Sequence, residues 1–389
     1  MLRTQVAIIG AGPAGLFLAH LLHRAGIAPI VLEHHSRDYV EQRVRAGVLE
    51  QSTVDLMHAL GIGARLDREG LVHSGINLTL GGELFRIDLK ALTGSCVTIY
   101  GQQEVMKDLY NAAQARAIEV VFDAKDVRLH GFESAQPSVT CLRNGQAQRI
   151  DCDFIAGCDG FHGVSRSSMP PHALRAREHT YPFSWLGILA DVPPANRELI
   201  YASHDNGFAL ASMRSPSRSR YYLQCAADED IDAWPEARFW DELCVRLGPV
   251  ASAGVTRGPF IEKGIAPVRS FLAEPMRHGR LFLAGDAAHI VPPIGAKGLN
   301  LAASDVALLA ESLAEFYRTG SEAALDAYDS RAMQRIRGAM DFSCSFLEMT
   351  HRFAAGPSRA EQRAQIDALL GSPQALAGFA RAYAGAPLA

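Results

Sequence analysis

The amino-acid sequence predicts an α/β (α+β) fold with three parts: a domain built on a parallel sheet, an inserted antiparallel β-sheet domain and a helical C-terminus. The first 33 residues run strand, glycine turn, helix and strand, which is a βαβ unit, and Gly26 follows the helix as a termination signal. Residues 181–267 alternate polar and apolar side chains between turn sequences, as an antiparallel meander does. From Leu299 onward nearly every segment has helical periodicity. Because an inserted domain creates a cleft, we expect ligands to bind between the domains.

Length and composition exclude several classes of protein. The 389 residues predict two domains or one large elaborated domain, and a net charge of −4 without a Lys/Arg-rich run argues against nucleic acid as a partner. The seven cysteines are scattered without a CxxC pair, which predicts reduced thiols, a cytoplasmic location and no metal site. The stretch 6–22 has no Asp, Glu, Lys or Arg, but it contains the turn GAGPAG. It is therefore interpreted as part of the βαβ unit and not as a signal peptide or membrane span.

The glycine turn is a dinucleotide fingerprint. Gly10, Gly12 and Gly15 match G-x-G-x-x-G between a strand and a helix, and Glu33 lies at the tip of the next strand. The glycines allow the backbone to approach a pyrophosphate, the helix N-terminus supplies free N–H groups, and Glu33 suits ribose hydroxyls. The pattern predicts a Rossmann-like nucleotide-binding domain without distinguishing FAD from NAD. The alternative is a tight βα turn that binds no ligand.

A second glycine-rich loop, GDAAHIVPPIGAKGLN, begins at Gly285. It follows the apolar segment 279–286, which suits a buried parallel strand. Asp286 offers a carboxylate to sugar-like hydroxyls, and a helix beginning near Leu299 directs its positive end at the same ligand. The alternative role of Asp286 is to cap the next helix. A third segment, GCDGFHGVSRS (157–167), also follows an apolar strand.

Strand alternation between 208 and 222 predicts a binding pocket. One face of the first strand carries Phe208, Leu210, Ser212 and Arg214, and the other carries Ala209, Ala211 and Met213. An apolar face that ends in a hydroxyl and a guanidinium suits an aromatic carboxylate. Tyr222 shares a face with Arg220 on the next strand, so both can line the same cavity. The alternatives are a solvated turn for the arginines and ordinary half-buried positions for the tyrosines.

The fingerprint and the two further segments resemble the signature segments of the single-component FAD-dependent aromatic hydroxylases. Other stretches resemble the members of that family that act on 4-hydroxybenzoate: RVRAGVLEQ (43–51), YGQQEV (100–105), LIYASH (199–204), FALASMRSPSRSRYY (208–222) and AYAGAP (382–387). These matches keep their order over almost the full length. The resemblance implies a discontinuous FAD-binding domain of residues 1–73, 98–180 and 268–345, a substrate domain of residues 74–97 and 181–267, and a C-terminal helical region of residues 346–389.

The resemblance also implies a role for individual residues. Toward FAD it implies Arg45 and Gln102 near the pyrophosphate and ribityl chain, Asp286 on the ribityl chain, and the amides of Leu299 and Asn300 at the flavin pyrimidine edge. Toward the substrate it implies Ser212, Arg214 and Tyr222 on the carboxylate, Tyr201 on the 4-hydroxyl, and the carbonyl of Pro293. It further implies that Tyr383 supports Tyr201 and that His73 ends a proton path to solvent.

The resemblance implies a second dinucleotide, a nicotinamide cofactor, but the sequence contains no second G-x-G-x-x-G fingerprint. We therefore expect the nicotinamide cofactor to bind across the surface of the FAD-binding domain, and the resemblance implies Arg45, His162, Arg166 and Arg269 as its contacts. In the segment after Glu33, Tyr39 fits the phosphate-tolerant pattern of the family, whereas His34 stands where an arginine would favour NADPH more strongly. NADPH is expected in preference to NADH.

The implied reaction is hydroxylation of 4-hydroxybenzoate at C3 to 3,4-dihydroxybenzoate with NAD(P)H and O2, through a flavin C4a-hydroperoxide. One alternative is a hydroxylase of another para-substituted benzoate, such as 4-aminobenzoate or 3,4-dihydroxybenzoate. A second alternative is a non-enzymatic escort protein of the FAD fold, against which the polar pocket argues. The family also implies a homodimer. Ile294 departs from the family pattern, which usually has threonine at this position.

Overall fold

The computed structural model of the chain describes residues 2–42 and 47–388. Its strands are, in chain order, Leu2–Arg3 (β1), Val6–Ile9 (β2), Pro29–Leu32 (β3), Val48–Glu50 (β4), Leu71–His73 (β5), Gly75–Leu80 (β6), Glu83–Asp88 (β7), Val97–Ile99 (β8), Glu119–Val121 (β9), Lys125–His130 (β10), Ser138–Arg143 (β11), Gln146–Asp151 (β12), Phe154–Gly157 (β13), Arg175–Ala190 (β14), Ile200–His204 (β15), Gly207–Ser215 (β16), Arg218–Ala226 (β17), Phe260–Glu274 (β18), Arg277–His278 (β19), Leu281–Leu283 (β20) and His289–Ile290 (β21).

The helices are Pro13–Arg24 (α1), Arg37–Gln42 (α2), Gln51–Ala59 (α3), Ala64–Glu69 (α4), Leu89–Thr93 (α5), Gln102–Ala115 (α6), Val164–Ser167 (α7), Glu236–Ser252 (α8), Gly298–Thr319 (α9), Ala323–Asp326 (α10), Tyr328–Thr350 (α11), Arg359–Gly371 (α12) and Pro373–Ala384 (α13). Helix α8 is kinked at Gly248, whose φ is 78°. Over the part of the chain that the structure describes, no helix combines the length and the apolar character needed to cross a membrane.

A parallel sheet forms the core of the nucleotide-binding region. Its strand order is β19-β20-β13-β2-β3-β9, and all neighbours from β20 to β9 run parallel. Strand β2 is buried at every position, as is typical of a parallel strand covered on both faces. Strand β20 pairs with β13 through Ile155 and Leu281, so the buried parallel strand predicted within 279–286 is confirmed.

A larger sheet forms the second layer, with the order β21-β18-β14-β17-β16-β15-β6-β7. Strands β14 to β18 pair antiparallel with one another, which confirms the meander predicted for this region, and β15 also pairs in parallel with β6. Strands β14 and β18 continue beyond the segment 181–267, to Arg175 and Glu274, because they pair with each other over almost their whole length. Within the segment CVTIYG (96–101), Val97–Ile99 form β8, which belongs to a small separate sheet of order β4-β8-β5.

Helices cover both faces of the large sheet, as the division of its buried residues shows. On one face, Ala209 and Ala211 pack in a cluster with Phe239 and Leu243 of α8. On the other face, Phe208 and Leu210 pack in a cluster with side chains of α11, α12 and α13, including Phe346 and Tyr383. The helices that the sequence predicts at the C-terminus therefore cover the face of the large sheet that carries the predicted pocket.

Candidate active site

The three glycine-rich segments meet at the ends of the parallel strands. A Cβ atom on Gly10 would overlap the carbonyl of Cys158, so the first segment lies directly against the one that follows β13. Gly285, at φ +62°, would place a Cβ atom 3.4 Å from Ala14 in α1 and 3.2 Å from Ala302 in α9. The loop late in the chain thus lies against the fingerprint at its start. One ligand can therefore contact both the fingerprint at Gly10 and the loop that begins at Gly285.

The fingerprint has the geometry of an anion site. Gly12 is the N-cap residue of α1, with no side-chain cap, no acidic residue in the first turn, and no atom within 4 Å of the position of a Cβ atom. The first amides of a helix have no partner within the helix and carry partial positive charge. The Glu33 carboxylate accepts hydrogen bonds from the amides of Ala11 and His35, each at 2.9 Å, which hold it at the edge of the turn.

A buried ion pair clamps the loop that begins at Gly285. The carboxylate of Asp305 accepts a hydrogen bond from the Gly285 amide at 2.9 Å and lies 2.6 Å from Nε2 of His289. Burial opposes protonation of His289, but Asp305 outweighs it and raises the histidine pKa. Asp286, between them, is exposed in a 3-10 turn. Because α9 begins only at Gly298, with Lys297 at its N-cap, the alternative that Asp286 caps the next helix is wrong.

The N-terminus of α9 presents backbone amides, as predicted. No acidic residue or side-chain cap lies in its first turn, where Leu299 is partly buried. The Asn300 side chain is committed elsewhere: its Oδ1 accepts from the Glu50 amide at 3.0 Å and from Thr53 Oγ1 at 2.8 Å. Its Nδ2 donates to the carbonyl of Ala296 at 2.7 Å. The main-chain N–H of Asn300 is therefore the group available to a ligand, and its side chain braces the loop.

Gln102 and Arg45 are also expected near FAD, but the structure describes only Gln102. Gln102 is the first residue of α6 and is partly buried. Its neighbour Gly101 lies so close to Gly47 that a Cβ atom on Gly47 would meet Gly101 Cα at 2.5 Å. Arg45 lies outside the described residues.

The pocket floor is a row of paired residues across the large sheet. Tyr201 of β15 pairs with Leu210 of β16, and Leu210 pairs with Tyr222 of β17. Since directly paired residues project from the same face, these three side chains line one surface. A Cβ atom on Gly187 would come within 2.8 Å of the Tyr222 ring, so glycine is required beneath that ring. Ser212 pairs with Arg220 on the same surface, one step along the strands.

One residue lies on a face other than the predicted one. Met213 was expected opposite Leu210, but it packs in the same buried cluster as Phe208 and Leu210. The pairing of β16 with β17 shifts between Met213 and Ser215, and such a bulge re-aims the neighbouring side chains. Simple alternation therefore fails at the end of β16.

Arg214 carries hydrogen-bond donors that the protein does not fully use. Its Nη1 donates to the Met213 carbonyl at 2.8 Å, whereas its Nε is buried without a hydrogen-bond partner among residues 2–42 and 47–388. Burial lowers its pKa. Ser212 Oγ donates to the Arg220 carbonyl at 2.8 Å and must exchange that partner to bind an anion. The solvated-turn alternative fits Arg218, which is exposed and pairs with Asp191 at 2.6 Å.

Tyr201 and Tyr383 form a buried hydroxyl pair. Their oxygens are 2.8 Å apart, and the side chains are only 3% and 1% exposed. Burial raises the pKa of both hydroxyls, so both remain protonated at neutral pH. Each hydroxyl can donate one hydrogen bond and accept others, which makes the pair suitable for passing a proton along.

Sequence reasoning missed a buried ion pair behind this hydroxyl pair. Lys297 Nζ lies 2.6 Å from Glu50 Oε1 and donates to the Tyr383 carbonyl at 2.8 Å. The two charged side chains are 3% and 9% exposed. The available signal was a lysine inside the otherwise apolar stretch 290–299, but the distant Glu50 could not be paired with it from sequence.

His73, Pro293 and Ile294 occupy different environments. His73 is buried, which lowers its pKa to about 4, and neither ring nitrogen has a hydrogen-bond partner in the described ranges 2–42 and 47–388. A path from Tyr383 to His73 therefore needs a further polar group such as water. Pro293 is exposed, while Ile294 is fully buried in the cluster that contains Tyr201 and Tyr383.

The structure brings together three of the residues expected to bind the nicotinamide cofactor. The guanidinium groups of Arg166 and Arg269 lie 4.8 and 3.9 Å from the centre of the Phe161 ring, and the His162 ring contacts the same phenylalanine edge-on. Arg166 Nη1 also donates to the Ala287 carbonyl at 2.8 Å, in the glycine-rich loop. This basic and aromatic surface therefore lies beside the dinucleotide site.

The fold and site define a dinucleotide-binding protein of the Rossmann type whose second sheet carries an enclosed aromatic pocket. The sequence profile of the FAD-binding domain family matches residues 3–343. A p-hydroxybenzoate hydroxylase of Acinetobacter baylyi is 49% identical over 389 residues, which cover 99% of this chain and 96% of that protein. The chain belongs to this family of FAD-dependent aromatic monooxygenases.

Two solved structures share the fold at low sequence identity. A p-nitrophenol 4-monooxygenase of Pseudomonas putida superposes with a TM-score of 0.82 at 19% identity, covering 98% of this chain and 97% of that one. An anhydrotetracycline hydroxylase of Streptomyces rimosus superposes with a TM-score of 0.76 at 21% identity, covering 98% and 76%. The predicted fold class and the FAD and NAD(P)H requirement are confirmed, and the enzyme is favoured over the escort-protein alternative.

Proposed function

We propose that this enzyme hydroxylates 4-hydroxybenzoate at C3 to give 3,4-dihydroxybenzoate. The observation that carries the proposal is the row Tyr201, Leu210 and Tyr222 across three neighbouring strands. Strands lie about 4.8 Å apart, so the outer residues of this row are roughly 10 Å apart at the backbone. Cationic donors stand at the Tyr222 end and a hydroxyl pair at the Tyr201 end. That spacing suits a ring with a carboxylate and a hydroxyl in para positions.

The proposed roles of the pocket residues follow from their chemistry. Arg214, Ser212 and Tyr222 bind the carboxylate, because a hydrogen bond to a charged group contributes about 1.5–3 kcal/mol. Tyr201 accepts a hydrogen bond from the substrate hydroxyl and draws it toward phenolate, which makes the ortho carbon more nucleophilic. Tyr383 receives the proton from Tyr201, and His73 passes it to solvent through water. The Pro293 carbonyl lies at the reacting edge of the ring.

The proposed cofactor contacts use the surfaces described above. Gly10, Gly12 and Gly15 with the N-terminus of α1 hold the FAD pyrophosphate, and Glu33 holds a ribose. Asp286, Gln102 and Arg45 bind the ribityl and pyrophosphate region, and the amides of Leu299 and Asn300 face the flavin. When bound, FAD takes electrons from the nicotinamide cofactor and delivers one oxygen atom of O2 to the ring.

We further propose that NADPH binds at the surface formed by His162, Arg166 and Arg269, and that the enzyme is a cytoplasmic homodimer. The clustering of these three residues around Phe161 supports the first proposal. The seven cysteines, all free thiols, support a reducing compartment. The dimer rests on the resemblance to the family.

The deciding experiment is a substrate panel with product identification. Purified flavoprotein is mixed with NADPH and O2 and with 4-hydroxybenzoate, 4-aminobenzoate, 3,4-dihydroxybenzoate or benzoate as the control. We expect 4-hydroxybenzoate to accelerate NADPH oxidation and to yield 3,4-dihydroxybenzoate in proportion. If only hydrogen peroxide forms, or if another benzoate alone is hydroxylated, the substrate assignment is wrong.

A further inference from the structure

We propose that Arg335 and residues 386–388, which follow helix α13, form a C-terminal latch that positions the Tyr383 hydroxyl against Tyr201. The proposal rests on the function proposed above, in which these two hydroxyls carry a proton away from the substrate. Arg335 contacts neither substrate nor cofactor in this scheme. It is a positioning residue that acts through the end of helix α13.

The latch is made of two adjacent hydrogen bonds from one side chain. Arg335 projects from α11 and is partly buried. Its Nη1 donates to the Pro387 carbonyl at 2.9 Å, and its Nη2 donates to the Ala386 carbonyl at 2.5 Å. Leu388 packs against the main hydrophobic core just beyond these carbonyls. The terminal segment is thus held both by a guanidinium fork and by an apolar anchor.

The turn between the latch and Tyr383 leaves little freedom. Helix α13 ends at Ala384, and Gly385 follows with a φ of 84°. A Cβ atom on Gly385 would overlap the Glu50 carboxylate, so the backbone passes directly over the buried ion pair. Lys297, the partner of Glu50, donates to the Tyr383 carbonyl at 2.8 Å. The backbone of Tyr383 is therefore fixed from below by Lys297 and from its C-terminal side by the latch.

The latch is needed because Tyr383 lies in the last turn of a helix. The final carbonyls of a helix have no partner within it, and such turns fray unless they are tied down. A reactive group must be held within about 0.5 Å of its working position to function well. A frayed last turn would move the Tyr383 hydroxyl from its 2.8 Å contact with Tyr201. Tyr201 would then lose the group that supports its bond to the substrate.

The test measures the ionisation of bound 4-hydroxybenzoate by ultraviolet absorbance during a pH titration of the oxidised flavoprotein. Arg335→Met removes both donors and keeps the aliphatic stem. Arg331→Met is the matched control, since Arg331 lies one turn earlier on α11 and its guanidinium makes an exposed ion pair with Glu311 at 3.4 Å. We expect Arg335→Met to shift the phenol equilibrium toward the neutral form by about threefold or more, which is roughly half a pH unit.

The expected pattern separates positioning from general stability. Affinity for 4-hydroxybenzoate at pH 6 stays within about twofold of wild type, because the Arg214 end of the pocket is untouched. Arg331→Met titrates as wild type does, and Arg335→Lys, with a single donor group, gives an intermediate shift. Should Arg335→Met lose its flavin, a chain ending at Gly385 takes its place and must show the same shift.

A phenol titration that matches wild type in both Arg335→Met and the shortened chain overturns the proposal. Because the readout is ligand ionisation and not turnover, it is independent of the hydroxylation assay. A wild-type enzyme that binds 4-hydroxybenzoate but forms no 3,4-dihydroxybenzoate would disprove the proposed function and leave the latch measurable.

Discussion

Lys297 Nζ lies 2.6 Å from Glu50 Oε1 in an almost fully buried position, directly behind the Tyr201–Tyr383 hydroxyl pair. A buried ion pair stabilises little by itself, because desolvation offsets the Coulomb attraction. Breaking it by removing one partner is costly, since the other charge remains buried. The pair therefore links the folding of the C-terminal helix to the charge environment of the pocket.

The first prediction concerns this pair. Lys297→Met leaves the Glu50 carboxylate unpaired, and we expect the free energy of unfolding to fall by about 3–5 kcal/mol in urea titrations. The loss of a positive charge near Tyr383 also disfavours phenolate, so bound 4-hydroxybenzoate should ionise at higher pH. The double variant Lys297→Met/Glu50→Gln should recover most of the stability. Equal stability of the single and double variants would contradict the coupling.

The second prediction concerns Tyr201. Tyr201→Phe removes the hydroxyl that meets the substrate and leaves the Tyr383 hydroxyl without its partner at 2.8 Å. Transfer of a proton by a positioned group contributes about 10²–10⁴-fold to a rate, so the rate of product formation should fall by that order. The dissociation constant should change little. Tyr222→Phe is the control: it should weaken binding more than it slows hydroxylation. If Tyr201→Phe mainly weakened binding and Tyr222→Phe mainly slowed hydroxylation, the roles assigned to Tyr201 and Tyr222 would have to be exchanged.

The third prediction concerns carboxylate recognition. Arg214→Ala removes the guanidinium with an unused buried donor, and loss of a charged hydrogen bond of about 1.5–3 kcal/mol weakens binding roughly tenfold to more than a hundredfold. Arg218→Ala, at the exposed turn, should leave the dissociation constant within about twofold of wild type. Titration of the flavin absorbance with 4-hydroxybenzoate measures both. Comparable losses in the two variants would place the carboxylate elsewhere.

The fourth prediction concerns Ile294, which is fully buried among the aromatic residues of the pocket. Ile294→Thr adds a hydroxyl beside Tyr201 and Tyr383 and removes bulk near the substrate ring. We expect more hydroxylated product per NADPH consumed, at a cost of about 1–3 kcal/mol in stability. Ile294→Val separates the hydroxyl from the change in volume. If threonine and valine give the same product yield, hydrogen bonding at this position does not matter.

The fifth prediction concerns acid stability. Burial lowers the pKa of His20 and His73 to about 4 and of His351 to about 3, well below the ordinary 6.5. These groups take up protons more readily in the unfolded chain. Their contribution to the free energy of unfolding is therefore complete above pH 6.5 and is lost as the pH falls toward 4. Each histidine should contribute at most about 1.4 kcal/mol per pH unit to the slope of the unfolding free energy against pH.

Urea unfolding between pH 7 and pH 5 measures this slope while most carboxylates stay ionised. His351→Gln, which removes one of the three groups, should reduce the slope by about one proton. A flat pH profile in wild type would mean that these histidines are protonated in the folded protein.

Local signals were sufficient for the parts of this protein that depend on neighbouring residues in the chain. The βαβ unit, its glycine turn and Glu33 were predictable because strand, turn and helix preferences act over a few residues. The parity of Leu210 and Ser212 followed from the pleat of one strand in the same way. The alternation placed Met213 on the wrong face, because the bulge there depends on the pairing of β16 with β17.

Tertiary structure alone decided which distant residues meet. Nothing near Lys297 in sequence indicates Glu50, and nothing near Arg335 indicates the carbonyls of Ala386 and Pro387, since these contacts depend on how α9, α11 and α13 pack. The resemblance to known hydroxylases named Tyr201 and Tyr383, but only the fold brings their hydroxyls to 2.8 Å. The residues of each segment specify the chemistry that the segment can carry. The packing of helices over the large sheet decided where that chemistry is buried, and burial sets the strength of its charges and hydrogen bonds.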